Sequence, residues 1–326
     1  MSTEKSLRAA APADRRRRLR AMLQAGELIV APGVHNGLAA RVVAEAGFDA
    51  VYMSGSGVAN TLTGRADVGL LTMNEMTMMA RFIVEAADVP VISDADTGYG
   101  NAINVIRAVR EFEAAGVSAI HLEDQVAPKR CGSMAGKEVI PAEEMAGKIR
   151  AAVEARHDPD FIIVARTDAR GAIGLDEAIR RGRLYKEAGA DMIFPDALLS
   201  RDEYAAFGAA VPGPKLFNMG GYGKSRTTPK LPLSDVASMG YSLVIFPLAA
   251  LRAGVKGYMD FLAGLKTGGV EFEVRHIADQ LAGHPVENWY EFTGAGDIKD
   301  LERTYMPADA VDAKYAGTVG HMPGSR

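Results

Sequence analysis

The chain has almost no cysteine. Cys131 is the only one in 326 residues, so no internal disulfide can form and one free thiol is left over. That usage fits a reducing compartment, and the cytoplasm is the expected location. Histidine is also scarce: the six present are scattered, with no pair at the spacing of a zinc site. No run of about 18 uncharged apolar residues occurs, so no transmembrane helix is expected. Arg15 to Arg18 have no apolar stretch behind them, so they read as the solvated start of a helix, not a secretory signal. A net charge of −4 excludes nucleic acid as the main partner. What is present, 48% hydrophobic and 24% charged residues, is the balance of a well-buried globular enzyme.

An internal repeat organises the middle of the chain. Glu-Ala-Gly-Phe-Asp-Ala-Val-Tyr-Met-Ser (45–54) is echoed at 114–123, 187–196 and 238–247. Each copy reads as a helix end, a glycine where φ must be positive, and a short apolar strand. Further short apolar runs at Leu28–Ala31, Pro90–Ser93, Phe161–Arg166 and Lys215–Asn218 bring the candidate strands to eight. Helical patterns such as Asn104–Ala115 and Asp176–Ala188 separate them. Strict alternation over roughly 230 residues predicts an α/β fold, a (β/α)8 TIM barrel. A doubly wound open sheet is the alternative, but no Gly-x-Gly-x-x-Gly follows the first strand. The expected division is an N-terminal helical extension (1–25), the barrel (26–267) and a C-terminal helical segment and tail (268–326). Leu248–Leu265 reads as a helix interrupted by Gly254 and Gly257, and the last twenty residues as loosely ordered.

In such a barrel the chemistry sits at the C-terminal ends of the strands. The fourth strand ends in Glu123 and Asp124, and a loop with Lys129, Arg130, Cys131, Gly132 and Ser133 follows. Carboxylates delivered into a basic, Gly-containing loop read as an active-site gate holding a proton-transfer residue. Lys129 and Arg130 are expected to lower the pKa of Cys131. The second strand ends in Tyr52-Met-Ser54-Gly55-Ser56-Gly57, whose backbone N–H groups can hold a carboxylate or phosphate. The third ends in Asp94-Ala-Asp96, two acids on one face that repel unless a cation sits between them. Mg²⁺, or Mn²⁺, would satisfy them, with Glu123 as a third acid. Arg166, at a buried strand end, needs an anion, most simply a substrate carboxylate. Asp67, Asp196, Asn218 and Arg252 fall on the same rim.

These residues carry a resemblance. Asp94-Ala-Asp96-x-Gly-x-Gly, His121-Leu-Glu-Asp-Gln, Lys129-Arg-Cys-Gly, Ala165-Arg-Thr-Asp-Ala and Phe246-Pro-Leu resemble the isocitrate lyase/phosphoenolpyruvate mutase superfamily. The likeness is strongest to the branch containing 2-methylisocitrate lyase, dimethylmalate lyase, oxaloacetate hydrolase and carboxyphosphonoenolpyruvate phosphonomutase. It implies Mg²⁺ on Asp94 and Asp96 with Glu123 near it, and a homotetramer that exchanges C-terminal helices. Ser54, Gly55, Ser56, Arg166 and Asn218 would bind the substrate's oxyacid group. Cys131 would move the proton, with Lys129, Arg166 and Asp67 as its catalytic company. Tyr52, Gly132, Ser133, Asp196 and Arg252 complete the expected substrate site.

The implied reaction is cleavage of a carbon–carbon bond in a di- or tricarboxylate through an enolate protonated by Cys131. Three departures bear on the substrate. Ser133 stands where the lyases have His, Asp196 where they have Glu, and Gly220-Gly221 where they have an acid. Phosphonate chemistry, oxaloacetate hydrolysis and a non-catalytic binding protein are the other readings open to the sequence.

Overall fold

The computed structural model describes residues 10–220 and 228–324. Contacts group Ala10–Ala253 into one compact unit and the chain from Gly254 onward into another. The first unit thus takes in the N-terminal helix expected to stand apart, and ends at Ala253 where 267 was expected.

Its strands are β1 (Ile29–Val34), β2 (Val51–Met53), β3 (Val91–Asp94), β4 (Ala119–Glu123), β5 (Ile162–Thr167), β6 (Met192–Pro195), β7 (Leu216–Asn218) and β8 (Leu243–Phe246). They pair in parallel in the order β6-β5-β4-β3-β2-β1-β8-β7. A single parallel bridge, Ile193 to Lys215, joins the two ends of that order, with Ile193 N donating to Pro214 O at 3.1 Å. The sheet is a nearly closed barrel rather than an open doubly wound sheet. The repeat has a plain cause: Gly47, Gly116, Gly189 and Gly240 each take φ between 81° and 103° to turn a helix end into the next strand.

Helices α1 (Pro12–Ala25), α2 (Gly37–Glu45), α3 (Gly55–Thr63), α4 (Met73–Ala86), α5 (Ala102–Ala114), α6 (Ala142–Ala155), α7 (Ala169–Ala172), α8 (Leu175–Glu187), α9 (Arg201–Ala210) and α10 (Leu233–Ser238) lie between or before the strands. Capping sets several of their starts. Thr72 and Glu75 form a capping box at α4, and Asn36 accepts from Ala39 N at α2.

Strand periodicity divides the core in two. Outward residues such as Val51, Val91, Ile120, Ile163 and Val244 pack under the helices. Inward residues Ala50, Ile92, Ala119, Ile162, Met192, Leu216 and Leu243 fill the barrel, and Leu19 of α1 joins them. Leu19 is 1% exposed, a burial that contributes roughly 1.5–3 kcal/mol. The arginine run is therefore not simply a solvated helix start. Arg15 donates to the carbonyls of Val84 and Ala87, at the end of α4. Arg16 donates to those of Glu113 and Val117, at the end of α5. Both side chains are buried, and their charge answers the orphan carbonyls that helix ends leave.

Beyond the barrel, α11 (Ala249–His276) runs through Gly254 and Gly257 without interruption but breaks at Gly269 (φ 54°, ψ −144°), a kink that joins two helical segments. In the second unit follow α12 (Trp289–Phe292), α13 (Ala295–Tyr305) and α14 (Ala308–Tyr315). The last of these lies in the stretch expected to be loose.

Candidate active site at the C-terminal rim

Continuing the same period of two, the inward positions nearest the C-terminal ends are Tyr52, Asp94, His121, Glu123, Arg166, Phe194 and Asn218. A cavity of about 60 Å³ opens there. Tyr52, Ser54, Ser56, Asp67, Asp94, Cys131, Gly132, Ser133, Arg166, Asp196 and Asn218 all line it. With Pro247 after β8, residues from six strand ends and the loop after β4 meet in one place. Gly220 joins them; Gly221 lies outside the described residues.

Asp94 is fixed by backbone donors: Asp96 N to its Oδ1 at 3.0 Å and Gly55 N to its Oδ2 at 3.2 Å. A Cβ at Gly55 would stand 2.4 Å from Asp94 Oδ2, so only glycine lets helix α3 start this close to the acid. Ser54 caps that helix, accepting from Gly57 N at 3.1 Å. Two amides of the run read as an anion cradle are therefore committed within the protein. Asp96 follows β3 in the left-handed region, φ 48°, a conformation aspartate tolerates better than most residues.

The gate loop is tied down by charge. Lys129 Nζ lies 2.7 Å from Asp67 Oδ2 and 2.7 Å from Asp96 Oδ1, and it is 4% exposed. Asp67 also accepts from Cys131 N through its backbone oxygen at 3.1 Å, so it anchors the loop at two points. Gln125 clamps the next residue, exchanging hydrogen bonds with Arg130 N and O at 2.9 Å each. Lys137, which sequence reasoning missed, donates to Gly132 O at 2.6 Å and to Asp168 Oδ1 at 2.8 Å. Gly132 is the second obligatory glycine: a Cβ there would fall 1.8 Å from Asp196 Oδ2.

Four expectations change here. Arg166 already has its anions: Asp168 takes Nε at 2.9 Å and Nη2 at 3.1 Å, and Asp196 takes Nη2 at 3.2 Å. Glu123 Oε2 stands 3.0 Å from Arg166 Nη1, an ion pair without hydrogen-bond alignment. Glu123 is thus drawn to the guanidinium, and among the described residues no three His, Cys, Asp or Glu side chains converge on a metal position. Cys131 is not activated: burial pushes the thiol up and outweighs the downward pull of Lys129, whose charge is shared with two aspartates. Arg252 is exposed on the first turn of α11 and does not line the cavity, because Pro247 and Leu248 complete the wall before the helix leaves.

The acids have shifted accordingly. Burial pushes Asp96 up to about 6 in spite of Lys129, and raises Asp94 and Glu123 too. Burial acts on Asp168 in the same direction, but Arg166 and Lys137 outweigh it and hold that carboxyl low. Asp124, the second acid of the motif, points outward to Thr167, Arg181 and Tyr185 and is structural. His121 is fully buried between Tyr52 and Phe194, and burial pushes its pKa down to about 3. Its inward place on β4 was readable from the period of two; Lys137 gave no such signal.

The donor set suits a hard divalent cation. Asp94 and Asp96 supply only oxygen, burial disfavours their bare charge, and the buried Glu123 Oε1 has no hydrogen-bond partner among the described residues. Two carboxylates with water and substrate oxygens in the remaining positions are an ordinary Mg²⁺ shell, which needs no third protein acid.

A (β/α)8 barrel with buried acids at its C-terminal rim, under a thiol-bearing loop, is the arrangement of a barrel enzyme. The chain belongs to the phosphoenolpyruvate phosphomutase family, which matches residues 19–265, and so to the isocitrate lyase/phosphoenolpyruvate mutase superfamily. It is 49% identical to 2,3-dimethylmalate lyase of Eubacterium barkeri over 286 residues, 88% of this chain and 94% of that one. To 2-methylisocitrate lyase of Aeropyrum pernix it is 44% identical over 281 residues, 86% and 88% of the two chains. The crystal structure of a 2,3-dimethylmalate lyase superposes with a TM-score of 0.83 at 34% identity, covering 96% of this chain and 99% of that one. A phosphonopyruvate hydrolase solved with oxalate and Mg²⁺ superposes at 0.79 and 34% identity, covering 90% and 99%.

Proposed function

We propose that this protein is a carbon–carbon lyase that splits the C2–C3 bond of a 2-hydroxy or 2-oxo dicarboxylate, of the substituted malate or 2-methylisocitrate type. The observation that carries this reading is the Cys131 thiol, held at the wall of an acid-lined cavity and kept protonated by burial. A group meant to deliver a proton to a carbanion has to hold that proton at neutral pH.

The chain's own residues divide the work. Ser54, Ser56 and Asn218, which line the cavity, would bind the carboxylates of the acid, and Arg166, held by Asp168, Asp196 and Glu123, fixes the wall of the cavity beside them. Asp94 and Asp96 would hold Mg²⁺ or Mn²⁺, which when bound supplies Lewis-acid polarisation of the C2 oxygen. In a 2-hydroxy acid, or in the C2 hydrate that a 2-oxo acid forms with water, the C2–C3 pair leaves toward C3 as a C2 hydroxyl proton passes to a carboxylate of the cluster. The C3 carbanion takes a proton from Cys131 Sγ, and solvent restores both groups. Lys129 holds the loop so that water is excluded meanwhile.

Substituted malates suit the pocket better than tricarboxylates. Ser133 lines the cavity where the lyases have His, and a lost charged hydrogen bond costs roughly 1.5–3 kcal/mol. The test is a Mg²⁺-dependent NMR screen of 2-hydroxy and 2-oxo diacids for a keto-acid product. Oxalate and acetate formed from oxaloacetate alone would move the protein to the hydrolase reading; binding without turnover of any acid would make it a binding protein.

The partner inferred for the C-terminal segment is further copies of the chain, four in all with exchanged helices. Helix α11 buries none of its residues in the single chain and exposes Tyr258, Met259, Leu262, Val270 and Val274. Light scattering that gives a monomer at micromolar concentration would refute this. No helix among the described residues is long and apolar enough to cross a membrane.

A further inference from the structure

His121 has no place in the chemistry above, yet it sits directly beneath it. Its side chain is 0% exposed. Its Nε2 lies 2.8 Å from the Tyr52 phenol oxygen and 3.6 Å from Asp94 Oδ1, the latter beyond hydrogen-bond reach. Its Nδ1 is buried with no hydrogen-bond partner among the described residues. The two rings lie nearly parallel, 16° apart with centroids at 5.8 Å, and Phe194 packs edge-on against the imidazole at 5.5 Å.

Such a ring has two neutral tautomers, and the surroundings do not treat them alike. With its proton on Nδ1, the ring would bury an N–H donor that has no acceptor. With the proton on Nε2, only an acceptor goes unmet, and unmet acceptors are the better tolerated orphan. The second tautomer has a consequence for its neighbour. Nε2–H donates to the Tyr52 oxygen, so the tyrosine O–H cannot point back at the nitrogen. Tyr52 lines the cavity, so its proton is free to turn that way.

We propose that His121 is a positioning residue: fixed as the Nε2–H tautomer, it turns the Tyr52 hydroxyl into a dedicated donor aimed into the cavity, where it meets a carboxylate oxygen of the bound acid. The last clause rests on the reading of the cavity as an acid-binding site; the tautomer does not. The role also accounts for a histidine on an interior surface where an aliphatic residue would pack without an unmet polar atom.

Two measurements test this separately. Long-range proton–nitrogen NMR on ring-labelled, ligand-free protein, with His121→Gln used for assignment, should show the proton on Nε2. A proton on Nδ1, or on both nitrogens, overturns the proposal whichever acid the enzyme uses. Oxalate binding by calorimetry in magnesium buffer tests the consequence. Tyr52→Phe and His121→Phe should each weaken it about tenfold, the scale of one hydrogen bond to a charged group. His121→Gln, whose amide can still donate to the phenol, should recover most of that loss. The double variant should bind within about twofold of Tyr52→Phe alone, because His121 acts through the tyrosine. Additive losses, or no rescue by glutamine, would refute the coupling. If wild-type protein binds no oxalate, the acid-site reading fails and the donor role with it, while the NMR result still decides the tautomer.

Discussion

Lys129→Met puts the most structural reasoning at risk in a single change. The ammonium is buried between Asp67 and Asp96, 2.7 Å from each, with Asp94 part of the same acid cluster. Removing one partner of a buried pair costs roughly 3–5 kcal/mol, because the remaining charges stay buried. The protein has one escape, which is to take up a proton. Asp96 already stands at about 6 with Lys129 present, and without it the value rises further. The native state then binds more protons than the unfolded chain from about pH 4 up to that raised value. Stability therefore rises as pH falls through this window, opposite in sign to acid denaturation by salt-bridged carboxylates. Urea unfolding in EDTA should show a deficit against wild type that is largest near pH 8 and shrinks toward about pH 5. The same variant should alkylate faster at Cys131, since the loop loses its tether. A loss under about 1 kcal/mol that does not vary with pH would show that Lys129 is not the charge holding these acids.

Four further outcomes are expected. Cys131→Ser should lower kcat by about 10² or more with a smaller change in KM, and the alkylation rate of the wild-type thiol should titrate above that of a free cysteine. Asp94→Ala should abolish turnover and Mg²⁺ binding by calorimetry while leaving the circular dichroism unchanged; full activity in chelator would remove the metal from the reading. Ser133→His should shift kcat/KM from a substituted malate toward 2-methylisocitrate, and wild-type protein with kcat/KM near 10⁵ M⁻¹s⁻¹ on methylisocitrate, within the range of true substrates, would refute the pocket argument. Arg16→Ala should cost roughly 2–4 kcal/mol of stability by leaving the carbonyls of Glu113 and Val117 unmet, with kcat of the folded fraction unchanged.

Much of this molecule was legible without coordinates, and for a local reason. Strand and helix periods, and a left-handed glycine at each helix-to-strand joint, are properties of neighbouring residues, so the repeat at Gly47, Gly116, Gly189 and Gly240 disclosed the barrel. Once the barrel was assigned, reading only the C-terminal strand ends gathered Tyr52, Ser54, Asp94, Cys131, Arg166, Asp196 and Asn218, which do line one cavity. What the sequence could not assign was the pairing of charge with charge. Whether Arg166 meets a substrate or Asp196, whether Lys129 activates a thiol or bridges Asp67 and Asp96, and whether Arg16 faces water or Glu113 O depend on distances between segments far apart in the chain. The same holds for protonation. A thiol beside two basic residues looks activated in a linear reading, but burial and the neutralisation of Lys129 by two aspartates reverse the direction, and only the tertiary structure sets both.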